Sequence, residues 1–531
     1  MKTRKIITIL LAAAVLLAFA LPMTASAANV TITEGKATST YDAYKLFGVT
    51  PNRTCTDPLV PETAHETHDA ADCYTYAYVL NSKYKAAVIE VLEAAGIDTT
   101  GMTDARLNTT AATAIRDMGA PAFAKAVYAE IMAEGLSPDE TKTSNSFTLA
   151  EGYWLIVETT ADPLAEGDVI SPFILDTVGE EDVRVTGKKD VPTPDKKVKE
   201  ENGTFGNSAD VNIGDTVYFE ITGTLPSNYA DFSEYEYYLH DTMGAGLDYN
   251  SDMKIYVENA GVRSADILSQ CDATSVTGKT ILKFGFEDLK ALSGVTINAD
   301  SKIIFAYSAV LNANATVGSA GNSNTAKLEY SSDPRTVGRT NKTPGNEGKV
   351  YTFGFEVVKV NGDDGNLPLA GAIFNLFDAE NNQIEFVLAS GVYKVAKSGG
   401  DPDLTSAAVT GLITVKGLGA GVYTLREIAT PGDFNLLTYD IMIKITHDGN
   451  GAYTVAYQHS GAGYNAAWTS GATLEVDPGE YQIVNSTGTQ LPNTGGMGEA
   501  LIILGGLAII AVFAGAIVVY KKRRTLNAVR G

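Results

Sequence analysis

The 531-residue chain is expected to be mainly β: sandwiches in tandem, the first an α+β domain with helical insertions. A secretory leader precedes them and a transmembrane helix follows. Three observations predict this. Alternating apolar and polar segments, rich in Val, Ile, Tyr, Phe and Thr, recur at short intervals from residue 190 to residue 487 with turn residues between them. Helical periodicity is confined to residues 29–187. Long uncharged runs stand at both ends of the chain.

The elements follow in order. Residues 1–27 begin with Lys2, Arg4 and Lys5, continue through an apolar run from Ile6 to Leu21, and close on Ala25-Ser26-Ala27. That is a signal peptide with an A-x-A cleavage site, so the mature chain begins near Ala28. Residues 28–187 form the first domain. Strands are expected at 30–33, 38–47, 152–158 and 182–186. Helices are expected at 82–95, with Tyr84, Val88, Val91 and Leu92 inward, and at 121–134, with Phe123, Val127 and Ile131 inward. Residues 188–343 read as an all-β sandwich with strands at 216–225, 281–286, 303–310 and 321–330, and one leading to His240-Asp241-Thr242. The polar, Pro- and Gly-rich stretch 331–348 reads as a linker. Residues 344–488 form a second sandwich, opening with FGFEVVKV at 353–360 and closing with YQIVN at 481–485. Its first and last strands are expected to be neighbours.

Residues 489–531 hold Leu491-Pro492-Asn493-Thr494-Gly495, an uncharged run at 501–520 and the basic tail Lys521-Lys522-Arg523-Arg524. As a helix that run spans on the order of 30 Å, a bilayer's hydrocarbon core, and the basic residues hold its end in the cytoplasm.

Composition narrows the function. With 40 Lys and Arg against 63 Asp and Glu the net charge is −23, which argues against nucleic acid or anionic membrane as a partner. The length suggests roughly three or four domains, and 45% apolar residues suffice for their cores. Three cysteines in so large an exported chain exclude a disulfide scaffold. Cys55 and Cys73 could pair across a loop, leaving Cys271 single and buried. His65 and His68 lie between the first two, but Cys-x9-His-x2-His-x4-Cys matches no common zinc module. A disulfide-stapled surface insertion is the better reading, and no metal or cofactor is expected. No nucleophile elbow, P-loop or HExxH motif points to an enzyme.

The C-terminal LPNTGG, apolar span and basic tail resemble the sorting signal of Gram-positive surface proteins. The resemblance implies sortase cleavage between Thr494 and Gly495 and transfer of the Thr494 carbonyl to an amine. Residues 344–488, with Lys359, PLAGAIFNL, GVYTLREIATP and the closing IVN, look like a CnaB-type domain. Residues 188–343, with PDKKV, IGDTVYF, HDTMGAGL and GNSNTAKLEYSSDP, resemble the isopeptide-forming D2-like fimbrial domain. With TSTYDAYKLF in the first domain, the likeness covers nearly the whole chain. It is to the backbone subunit of a sortase-assembled pilus, built of immunoglobulin-like, Cna-type sandwiches.

That resemblance implies intramolecular Lys–Asn isopeptide bonds assisted by a carboxyl. Here Lys359 is the nucleophile, Glu427 the acid/base and Asn485 the acceptor; in the preceding domain the set is Lys196, Asp241 and Asn324. Lys197 and Asn322 are alternatives there. Val198 would share a face with Lys196, and N-T-A-x-L likewise favours Asn324. The chemistry needs burial, since burial lowers an amine's pKa towards the neutral, attacking form and raises a carboxyl's. Held in contact, the groups gain a large effective concentration. Pilus backbone families also carry a lysine in a VxVYPKN-like motif. Val183-Arg184-Val185-Thr186-Gly187-Lys188-Lys189 occupies that place, departing from it at Thr186, Gly187 and Lys189. Lys188 aligns with the motif lysine, and Lys189 stays open.

The implied partners are a pilus-class and a housekeeping sortase, identical subunits and peptidoglycan, with the membrane only before sorting. The implied location is a wall-anchored surface pilus. The alternative is a monomeric wall-anchored adhesin.

Overall fold

The computed structural model describes residues 27–33, 39–53, 74–159, 164, 166–170, 172–177, 182–185, 190–460, 468–471 and 481–488. The leader apart from Ala27, the LPNTG motif, the 501–520 span and the basic tail fall outside the described residues. So do Cys55, His65, His68, Cys73, Lys188 and Lys189. Among the described residues no helix is long and apolar enough to cross a membrane, and no His, Cys, Asp or Glu cluster is placed to hold a metal.

Strand dominates, and the chain divides into two compact units. One comprises Met1–Thr352 with Gly417–Gly419 and Asp448–Ala452; the other comprises Phe353–Lys416, Ala420–His447 and Tyr453–Gly531.

The first unit opens on a sheet ordered Tyr74–Leu80, Tyr41–Arg53, Tyr153–Glu158, Pro172–Asp176. Tyr153–Glu158 reads YWLIVE and is buried on both faces, as an uninterrupted apolar strand must be. On one face Trp154 and Ile156 meet Val30, Ile32 and Leu149 from a small sheet in which Ala27–Ile32 pairs with Ser146–Ala150 and Asp182–Val185. On the other, Leu155 and Val157 join the helices' core. The two expected helices are Lys85–Ala94 and Ala120–Ala133, and every side chain expected to face inward is buried.

A third helix, Asp104–Met118, was not foreseen. Its buried stripe is only Leu107, Ala111 and Ala114, too small to stand out as an apolar period. Its start is nevertheless signalled by Thr103, whose side chain accepts from the Arg106 backbone N–H.

Two further sheets follow in the same unit. One runs Val262–Arg263, Lys254–Asn259, Lys302–Leu311, Thr216–Gly223, Pro194–Glu200. The other runs Ser208–Asp210, Asn346–Tyr351, Asn322–Ser331, Tyr237–Met243, Ile281–Phe286, Ala273–Thr277. Burial alternates strictly along Thr216–Gly223 and through most of Asn322–Ser331, so each strand sends every second side chain between the sheets.

Residues 331–348 are not a linker. Thr340–Lys342 and Asn346–Tyr351 both pair with Asn322–Ser331. Between them and that strand, buried Asp333 holds Arg335 at 2.7 Å and Arg339 at 3.3 Å. Polar composition hid two strands that earn their place by pairing and by ion-paired side chains. Cys271 is a free thiol as expected, but half-buried and not enclosed.

The second unit holds two sheets. Leu367–Pro368, Phe353–Asn361, Leu412–Leu418, Val392–Ala396 and Glu385–Ala389 form one, and Tyr481–Asn485 pairs with Phe353–Asn361. The other runs Leu404–Thr405, Ile373–Phe377, Gly421–Ala429, Ile441–His447, Tyr453–His459, Thr469–Gly471. The first and last strands are neighbours, in parallel.

Candidate functional site

Two buried clusters, one in each unit, bring the expected residues together. In the first unit Lys196 stands opposite Ile221 on Thr216–Gly223. The two-residue period turns Lys196 and Val198 inward, and both are buried. Lys197 turns outward to Asn207 Oδ1 at 2.7 Å and Asp195 at 3.0 Å.

Lys196 lies between aromatic rings, its Nζ 5.1 Å from the Phe219 centroid and 5.6 Å from that of Tyr307. The Nζ donates to both Asp241 carboxylate oxygens at 2.7 Å and to Tyr307 Oη at 3.1 Å. Asp241 comes from the facing sheet, where Met243, two residues on, stands opposite Asn324. The cluster therefore spans the core of the sandwich. Burial pulls the Lys196 amine down to about 8, with Asp241 opposing that fall.

Asn324 Nδ2 donates to Tyr307 Oη at 2.6 Å, and that hydroxyl donates to Asp241 Oδ2. The Asn324 Oδ1 is buried without a partner. Asn322 is also buried, but its amide is fully engaged: Oδ1 accepts from Thr316 N, and Nδ2 donates to the Thr316 and Val350 carbonyls.

In the second unit Lys359 pairs in register with Ile483, and Asn361 with Asn485. Lys359 and Asn485 are thus diagonal neighbours on one sheet face. Lys359 is fully buried and its Nζ donates to the Ile483 carbonyl at 2.9 Å. Burial brings this amine down to about 8 as well, against the pull of Glu427.

Glu427 reaches in from Gly421–Ala429 on the other sheet, beside a register shift where it pairs with Phe374. Its carboxylate accepts from Asn485 Nδ2 at 2.8 and 3.0 Å and from Leu437 N at 2.9 Å. Asn485 Oδ1 again has no partner. A cleft of about 370 Å³, lined by Leu437, Tyr439, Asn485 and Thr487 among others, opens beside this amide.

Among the described residues only five buried side-chain polar atoms lack a partner: three tyrosine hydroxyls and the Oδ1 atoms of Asn324 and Asn485. An orphaned amide oxygen costs about 1–3 kcal/mol, so two of them, each beside a buried lysine, call for a chemical reason.

Tyr307 was not foreseen. In IIFAYSAV it looks like one more core aromatic, although alternation does place it inward with Ile303 and Phe305.

Two family models match the chain: residues 354–459 as a prealbumin-like fold domain of the SpaA type, and residues 483–527 as an LPXTG cell wall anchor motif. The chain is 26% identical over 281 residues to the trypsin-resistant surface T6 protein of Streptococcus pyogenes serotype M6. That alignment covers 47% of this chain and 45% of the relative, so the chain spans less than half the length of this curated protein.

Among solved structures it is similar to the T6 backbone pilin of serotype M6 Streptococcus pyogenes, at 17% identity and a TM-score of 0.47, over 87% of this chain and 98% of that one. It is also similar to the major pilin SpaD of Corynebacterium diphtheriae, at 16% identity and a TM-score of 0.42, with coverage of 87% and 98%.

The matched regions define a cell-wall-anchored surface protein of Gram-positive type, mainly β and carrying a prealbumin-like domain. Within that class the chain is similar to the surface T6 protein over the matched residues, and its likeness to the solved backbone pilins is one of fold.

Proposed function

We propose that this chain is a structural backbone pilin, joined head to tail by a pilus-class sortase and fixed to peptidoglycan by a housekeeping sortase. Thr494 supplies the acyl group and Lys188 the favoured amine, with Lys189 as its alternative. Each subunit is reinforced by two self-formed bonds, Lys196–Asn324 and Lys359–Asn485, so the chemistry occurs once and is not turnover. We read the domains as 28–187, 188–352 and 353–488, the last boundary moved from 343/344 because Asn346–Tyr351 pairs with Asn322–Ser331.

One observation carries the reading: twice, a buried lysine, a carboxyl and an asparagine with an unpartnered Oδ1 meet in a sandwich core. The neutral amine attacks the Asn side-chain carbon, and the amide nitrogen leaves as ammonia. Glu427 is bonded to that nitrogen in the second unit, where a proton must arrive. The adjoining cleft gives ammonia a way out.

A wall extract on a denaturing gel tests the polymer. A ladder of covalent multimers is expected, whereas a single anchored band would favour the monomeric adhesin.

A pH dependence follows from the amines. Both lysines sit near 8 instead of the usual 10.5, so only the form above that value attacks freely. Followed by mass in newly synthesised chain, bond formation should rise about tenfold per pH unit up to about pH 8 and then level off. A flat rate between about pH 6 and pH 8 would count against the amine as attacking group.

A further inference from the structure

We infer that Tyr307 is a catalytic residue of the Lys196–Asn324 reaction, carrying a proton between Asp241 and the departing amide nitrogen; this rests on the bond-forming reading above. The two clusters differ in how the carboxyl reaches the asparagine. Glu427 is bonded directly to Asn485 Nδ2. Among the described residues no hydrogen bond joins Asp241 to Asn324. The Tyr307 hydroxyl stands between them, accepting from Asn324 Nδ2 at 2.6 Å and donating to Asp241 Oδ2. It also accepts from the nucleophile, Lys196 Nζ, at 3.1 Å.

Its setting fixes it there. Tyr307 is 4% exposed, stacks on Phe219 at 5.4 Å and meets Tyr249 edge-on at 5.6 Å. No water is needed to bridge the groups, and the ring cannot swing away without breaking both contacts.

The step balances. As the Nζ–Cγ bond forms and the Cγ–Nδ2 bond breaks, Nζ gives one proton to Asp241. The Tyr307 hydroxyl gives its proton to Nδ2, which leaves as ammonia. Asp241 returns the proton to the Tyr307 oxygen, so both groups end as they began. A hydroxyl relay suits a buried carboxyl that cannot itself reach the leaving group.

Tyr307→Phe keeps the ring, the stack and the volume and removes only the relay. In full-length secreted chain, timed intact mass with peptide mapping should show the Lys196–Asn324 link forming on the order of a hundredfold more slowly. The Lys359–Asn485 link in the same molecules should form at the wild-type rate, reporting that the chain is folded and reactive. Tyr307→Leu, which also removes the ring, should be no faster than Tyr307→Phe. Wild-type speed in Tyr307→Phe would overturn the role of the tyrosine while leaving the bond. Absence of the link in the wild type would overturn the bond-forming reading itself.

Discussion

The mature ectodomain, residues 28–490, is expected to weigh less than its sequence by two molecules of ammonia, after allowing for two hydrogens should Cys55 and Cys73 be joined. Glu427→Gln should restore one ammonia and Asp241→Asn the other, with the double variant at full mass. These substitutions keep the volume and remove the titratable oxygen. Alanine would leave a buried amine facing an empty space, at about 3–5 kcal/mol for the broken pair alone.

Stability should fall with the mass gain. Lys359 and Asn485 are 126 residues apart (485 − 359) and Lys196 and Asn324 are 128 apart (324 − 196). Closing loops of that length stabilises by about 4–5 kcal/mol in the chain-entropy model. For domains of this size each lost link should lower the melting temperature by roughly 10–20 °C. Scanning calorimetry beside intact mass reads both effects. Wild-type chain at full mass would sink both assignments, and a variant that still loses both ammonias would sink the role of its carboxyl.

Lys188→Ala should abolish polymer without abolishing attachment. The variant keeps Thr494 and the whole sorting signal, so a housekeeping sortase still transfers it to the wall. The next subunit then has no amine to offer. On a denaturing gel the ladder collapses to one wall-released band, and Thr494→Ala loses that band too. If the ladder survives Lys188→Ala and disappears only when Lys189 is also replaced, the polymerising amine is Lys189. If it survives both, the amine lies elsewhere in the chain.

Much of the sandwich that holds Lys196 and Asn324 could be read from its residues because burial there obeys a two-residue period. Lys196 shares a face with Val198, and Asn324 with Ala326 and Leu328, and all five are buried. Alternation alone sets Lys197 outside, where it faces Asn207, but Asn322 shares a face with Asn324 and was separable only through its partners, Thr316 and Val350. Those partners lie 10, 6 and 28 positions away, two of them in loops, where no strand alternation reports them.

The same limit hid Tyr307, whose importance lies in three partners at distances of 17, 66 and 111 positions along the chain. The strands inside 331–348 were obscured for a different reason. Thr340–Lys342 pairs with one strand only, where no apolar face is demanded, and Asn346–Tyr351 opens on Asn346-Glu347-Gly348 before its apolar end, so the composition of 331–348 resembles a loop. The helix Asp104–Met118 buries mostly alanine methyls, which give periodicity little contrast.

The parallel pairing of Phe353–Asn361 with Tyr481–Asn485 bears on how the molecule stretches. Tension along the chain would enter the first of these strands at its leading end and leave the second at its trailing end, shearing the whole ladder at once. Once Lys359 is joined to Asn485, that tension runs through seven residues, 353–359, crosses one side-chain amide and exits at 485. Residues 360–484 then lie on a slack branch that carries no load. Their contour length, on the order of 400 Å if drawn out, is withheld from extension. Such a subunit behaves as a short inextensible link whose folded bulk is free to vary in sequence without changing the strength of the strand.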